Sequence, residues 1–242
     1  MDIKRAKIPN RIGIVPSVVL FGIPAALLWL ATHALMPRLL ARGWEPLLAW
    51  FFAGGLVLGP LLAAALVGGA VAIQSTSQAR LLEHLRVRKM TSSDWRLTGL
   101  AIGGTIAAIA GLHALNVLVW PQLPTQPDFI HFKPLATDQL YLLAVWLPFF
   151  AVNIIGEELW WRGFIQPRQE PVFGTNTWIV QGVLHGAFHF SFGPGVLLVL
   201  LPVVFVIPWS VQRSQNTCVG IVVHGSINGP AFLAINLGLL PS

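Results

Sequence analysis

The stretch Gly156-Glu157-Glu158-Leu159-Trp160-Trp161-Arg162 comes at the end of a long apolar segment, in a chain that is itself mostly apolar. Charges are costly there. At the centre of a membrane-spanning helix each costs about 2.5–3.5 kcal/mol on insertion scales, and less near the helix end. Helical geometry sorts the three. Glu158 and Arg162 stand four apart, share a face and can pair. Glu157 is rotated by roughly 100°, onto the face of Asn153, and has no charge partner on its own helix. A helix that neutralises one glutamate and leaves its neighbour free presents that neighbour for use. The bland alternative is a structural ion pair beside a solvated interfacial carboxylate.

The composition agrees with a membrane setting. Apolar residues make up 55% and charged residues only 10%, with a mean hydropathy of +0.71, which excludes an ordinary soluble domain. Runs of spanning length recur, so the expected fold is all-α: a polytopic membrane helical bundle of about seven transmembrane helices. Their expected ranges are 13–36, 46–75, 97–120, 138–164, 173–190, 194–211 and 216–238. They form a single integral membrane domain over 1–242, with accessory amino-terminal helices in 1–137 and the core carrying the charged stretch in 138–238. Between the second and third helices, Leu81, Leu82, Leu85 and Val87 in a basic segment suggest an amphipathic surface helix. In the third, Gly99-x-x-x-Gly103 permits close helix contact. The single cysteine, Cys218, cannot form an internal disulfide.

A net charge of +6 invites a nucleic-acid reading, but the distribution of lysine and arginine refutes it. With the amino terminus inside, one set of segments holds Lys4, Arg5, Lys7, Arg11, Arg80, Arg86, Arg88, Lys89, Arg96, Arg162, Arg168 and Arg213. The opposite set holds only Arg38, Arg42 and Lys133. This asymmetry marks a cytoplasmic amino terminus and a positive surface against anionic lipid headgroups. The expected partner is the lipid bilayer and no nucleic acid, and the expected location is a cell membrane, multi-pass, of the bacterial cytoplasmic kind. The apolar run after Arg11 is too long for a signal-peptide core and reads as a retained first helix.

Two more polar clusters lie on later helices. His185 and His189 are four apart, as are His224 and Asn228, so each pair shares a helix face. At about 1.5 Å per residue from the expected inner ends, Glu157 lies roughly 10 Å deep, His224 roughly 12 Å and His189 roughly 24 Å. One cavity could hold them all. A carboxylate, imidazoles and an amide supply a base, a second base or ligand, and oxyanion donors. Against this, membrane histidines are commonly packing residues, and Gly186 and Gly225 would allow simple close packing.

These motifs resemble the CAAX prenyl endopeptidase and bacteriocin-processing (abortive-infection) family of intramembrane proteases. The Glu-Glu-x-x-x-Arg motif is matched by Glu157, Glu158 and Arg162, and His-x-x-x-Asn by His224 and Asn228. Phe-x-x-x-His is matched by His189 alone, since His185 holds the Phe position. The resemblance spans roughly 138–230, making 138–238 the catalytic helix core. It implies an endopeptidase that hydrolyses a peptide bond with water. Glu157 would be the general base and His189 would help orient or deprotonate the water. His224 and Asn228 would bind the oxyanion, with Glu158 and Arg162 in support. The substrate would be a peptide or membrane protein, lipidated in some family members.

The departure at His185 raises a metal alternative. His185 and His189 have the spacing by which zinc peptidases take two ligands from one helix, and Glu157 or His224 could supply a third. The metal-independent reading is preferred, because base and oxyanion donors are present without a metal. In the bland reading His185 replaces an aromatic packing residue. Two other functions compete: a non-catalytic scaffold or immunity protein that keeps the fold, and a proton-coupled transporter. No repeated halves of the transporter kind are visible.

Overall fold

The computed structural model describes residues 11–239; Lys4, Arg5 and Lys7 of the expected cytoplasmic terminus lie outside them. Every regular element among the described residues is helical. The first rod is α1 (Ile14–Leu30), continued through a π-turn at Ala31–Leu35 into α2 (Met36–Leu40). At α3 (Pro46–Ile73), Glu45 accepts a hydrogen bond from the Leu48 amide and Pro46 stands where no intrahelical N–H is needed. The amphipathic surface helix is α4 (Gln78–His84); Leu81, Leu85 and Val87 of its pattern pack with Leu62, Ala65 and Leu159, while Leu82 is exposed.

The third rod, α5 (Ser92–Val119), starts five residues earlier than hydropathy predicts. Thr91 and Asp94 form a capping box that satisfies its first amides, so polar residues open an apolar helix. The fourth rod departs further from expectation. Instead of ending at 164, α6 (Tyr141–Glu157) runs through a π-helical segment, Glu158–Ile165, into α7 (Gln166–Phe173). The chain then reverses at Gly174, whose φ of +57° suits a residue without a Cβ. The quoted charges therefore sit inside a continuous rod rather than at its end.

The remaining helices are α8 (Thr177–Phe188), α9 (Pro194–Ser214) and α10 (Thr217–Asn236). Six stretches are long and apolar enough to cross a membrane, the fourth being Tyr141–Phe188 taken whole. All seven expected helices are present, but α8 has only 12 residues. That is roughly 18 Å, short of a hydrocarbon core of about 30 Å. Apolar side chains face outward, with Leu100 77% and Leu118 82% exposed, as a bundle solvated by lipid requires.

Contacts between loops define two ends. At one, Arg86 makes a two-pronged ion pair with Glu170 at 2.7 Å, Arg88 donates to the Ser214 carbonyl, and the Thr217 amide donates to the Arg86 carbonyl. The Ile12 amide donates to the Arg168 carbonyl at the same end. At the other end, the Leu135 amide donates to the Asn236 carbonyl and Phe129 packs edge-on against Phe192. Seven alternating helical runs connect them, the fifth being the short α8, with Ile12 at the first end and Asn236 at the second. Of the described basic residues outside the bundle interior, eight lie at the first end and three at the second. Arg162 leaves that tally, since it is wholly buried within the bundle.

Close packing occurs where the polar stretch meets its neighbours. A Cβ on Gly156 would stand 3.2 Å from the Leu58 carbonyl oxygen, and one on Gly163 would stand 3.0 Å from that of Leu85. Gly99 and Gly103 face open space, so the close contact that their spacing permits is not made there. Spacing marks a face that permits contact, and the bundle used other faces.

The basic end carries a titratable staple. Arg168 donates to His84 Nε2 at 2.7 Å and stacks on the Phe164 ring. Burial, with the Arg168 charge second, lowers the His84 pKa from its ordinary 6.5. The folded state thus binds fewer protons here than the unfolded chain, so this contribution is present above about pH 6.5 and is lost as pH falls below it. Melting temperature in detergent should drop between pH 7 and pH 5, and His84→Gln should flatten part of that slope. An equally steep slope in the variant would remove His84 from the explanation.

Candidate active site

The π-helical segment is the local device that assembles the site. Its wider turn carries Glu158 and Arg162 into the interior, where both are 0% exposed. Trp161 fills the adjoining space, stacked on Phe21 with ring centroids 4.0 Å apart. Buried amides brace the rod beyond. Gln181 donates to the Trp161 carbonyl and to Gln169 Oε1, Gln169 donates to Ser17, and Gln166 donates to the Pro208 carbonyl. Sequence reading passed over these glutamines. The available signal was a run of amides within a segment otherwise apolar enough to span.

The predicted ion pair is present, with Arg162 Nη1 3.4 Å from Glu158 Oε1. The same carboxylate oxygen accepts from His224 Nδ1 at 2.9 Å. Its other oxygen lies over Gly220, where a Cβ would come within 2.5 Å of it. Glu158 thus joins α6, its own π-segment and α10 around one buried charge.

Glu157 has a partner that helix geometry alone could not supply. His185 Nε2 lies 2.8 Å from Glu157 Oε2, and Arg162 Nη2 lies 2.8 Å from His185 Nδ1. Arginine only donates, so Nδ1 must offer its lone pair and the ring proton sits on Nε2. That proton points at Glu157. His185 is therefore a polar bridge between guanidinium and carboxylate, neither a free ligand nor an aromatic spacer. His189 Nδ1 donates to the His185 carbonyl at 3.0 Å, which leaves the Nε2 lone pair facing the site.

His224 and Asn228 meet as their spacing predicts. Nδ1–H of His224 donates to Glu158, so Nε2 accepts from Asn228 Nδ2 at 3.0 Å. One amide N–H of Asn228 remains uncommitted. Asn153, one turn before Glu157, also reaches the site, and its Oδ1 is buried without a hydrogen-bond partner. Glu157, His189, Asn153 and Asn228 share the wall of one cavity of about 330 Å³. Most of the remaining lining is aromatic or aliphatic, including Trp50, Phe149 and Phe232.

Ligand atoms of Glu157, His185 and His189 all lie within 4.8 Å of one another. As arranged, Glu157 and His189 have electron pairs to give, and His189 carries the backbone support usual for a ligating imidazole. His185 does not, because Arg162 holds Nδ1 and the proton is on Nε2. Both nitrogens of His224 are likewise engaged. Two donors fall short of the three protein ligands of a catalytic zinc site, so the arrangement does not fit one.

Residues 139–229 match the family model described as type II CAAX prenyl endopeptidase, Rce1-like. This is the family the three motifs resemble, and the matched range runs from the start of the fourth rod to just past Asn228. No match was found among curated proteins or among solved structures. Residues 139–229 are thus similar to an Rce1-like domain, within a chain whose six long apolar helical stretches mark a multi-pass membrane protein.

Removing one member of a buried charge pair strands the other. Arg162→Met should destabilise the protein by about 3–5 kcal/mol, measured as denaturant stability or folded yield in detergent. Adding Glu158→Gln should recover part of that loss, the sign of direct coupling. Additive losses would show that the two side chains act independently.

Proposed function

We propose that the Rce1-like domain makes this protein an intramembrane endopeptidase in which Glu157 activates a water for attack on a peptide carbonyl. One observation carries the reading: the Glu157 carboxylate is held by a protonated ring nitrogen of His185 while a ring nitrogen of His189 lies within 4.8 Å of its ligand oxygen. A gap of that size accommodates one water bonded to both groups.

In this mechanism Oε2 of Glu157 stays anchored on His185 and Oε1 takes the proton. His189 Nε2 accepts the second water hydrogen and aligns the oxygen. Attack forms a C–O bond and places negative charge on the former carbonyl oxygen, to which the free Asn228 N–H donates. Glu157 then passes its proton to the leaving amine as the C–N bond breaks, so protons balance without an acyl-enzyme. His224 orients Asn228 and, with both nitrogens engaged, serves the oxyanion through that amide. Glu158 and Arg162 hold the scaffold, and Arg162 sets the tautomer of His185. The substrate is a peptide or membrane protein, and neither the scaffold nor the transporter alternative gains support from the site.

Protein termini compared between cells expressing wild type and Glu157→Gln at equal membrane levels test the mechanism. New termini should appear with wild type alone; the same termini with Glu157→Gln would refute it. Turnover of a substrate found this way should persist in 1,10-phenanthroline. Loss on chelation with recovery on added zinc would favour the metal alternative built on His185, His189, Glu157 and His224.

A further inference from the structure

Negative charge developing on a peptide oxygen is held by donors aimed at it before the reaction, and more than one is usual. His224 has committed both ring nitrogens, to Glu158 and to Asn228, so this motif leaves one N–H of Asn228 for the cavity. A second amide stands beside it. Asn153 lines the same cavity, one helical turn before Glu157. Its Oδ1 is buried without a hydrogen-bond partner among the described residues, while Nδ2 is neither buried nor bonded to any of them. The packing of α6 on α10 brings the two amides together. A Cβ on Gly225 would stand 3.7 Å from the Phe150 ring and 3.8 Å from Ile154, and one on Gly229 would stand 3.0 Å from the same ring. Phe150, Asn153, Ile154 and Glu157 share one face of α6, and Gly225, Asn228 and Gly229 share one face of α10. The contact therefore runs along the two faces that carry Asn153 and Asn228.

Resting on the protease reading, we infer that Asn153 is a second oxyanion donor, and so a catalytic residue outside the three motifs. When water activated by Glu157 attacks, the new C–O bond forms and the carbonyl electron pair moves onto oxygen. Asn228 and Asn153 each donate an N–H to that oxygen and keep their protons. The pair returns as the C–N bond breaks, and the leaving amine takes its proton from Glu157. The unpartnered Oδ1 lowers stability in an apolar bundle, as expected where an amide is kept for its Nδ2 rather than for the fold.

Two measurements on the full-length protein in detergent test this role. Asn153→Leu removes the unpartnered oxygen at similar volume, so its melting temperature should equal or exceed that of wild type. Asn153→Ala covers a failure of leucine to fit. The second measurement uses a synthetic peptide spanning a cleavage site found by comparing wild type with Glu157→Gln. On that peptide either folded variant should lose about 10²–10³-fold in kcat with little change in KM. Melting temperatures lowered in both variants would make Asn153 a structural residue and overturn the inference. So would an unchanged kcat, or a loss confined to KM, which would place the amide on the bound substrate rather than on the oxyanion. Absence of any cleavage by wild type would instead remove the protease reading itself, and this role with it.

Discussion

A guanidinium buried among apolar helices needs polar partners, and Arg162 has two on two different chain segments. Glu158 forms an ion pair with it at 3.4 Å from one turn back along its own helix, and His185 accepts its hydrogen bond from α8 across the bundle. The arginine cannot give up its proton, so it dictates the protonation of its neighbour. His185 must present Nε2–H, and that hydrogen must find an acceptor, which is Glu157. One obligatory donor therefore organises two carboxylates and an imidazole, and ties the fourth and fifth rods together.

The same constraint shapes the rest of the core. Glu158 is buried away from water and takes a second partner, His224 from α10. His224 in turn orients Asn228. The fold thus reaches from one buried cation to both sides of the cavity through consecutive hydrogen bonds. Glu157 and Asn228 sit on packed helices and His189 on the turn that ends α8, with buried amides bracing the rod beyond Glu157, support that holds side chains in place.

Much of this was legible in the sequence because its periodicities are local. Apolar runs marked the helices, four-residue spacings paired Glu158 with Arg162 and His224 with Asn228, and lysine and arginine counts separated the two ends. The end of the fourth rod was not legible. Gln166, Arg168, Gln169 and Glu170 lower the hydropathy there and mimic an interface, yet three of them are buried against Pro208, His84 and Ser17. Hydropathy assigns each polar side chain to water, and only the folded bundle shows that another helix has taken water's place.

His185 marks the boundary between the two kinds of information. From its spacing to His189 it could be a metal ligand, and from the motif it could be an aromatic replacement. Neither reading contains Arg162, which lies 23 residues away in sequence and 2.8 Å away in space. The sequence by itself determined a bundle of apolar helices carrying Glu157, Glu158, Arg162, His189, His224 and Asn228 on inward faces, since helix period and insertion cost depend only on near neighbours. Tertiary structure alone decided which nitrogen of His185 holds a proton, which side chains line the cavity, and that α8 stops short. Those outcomes depend on which donor meets which acceptor across the bundle, and no spacing along one chain encodes that.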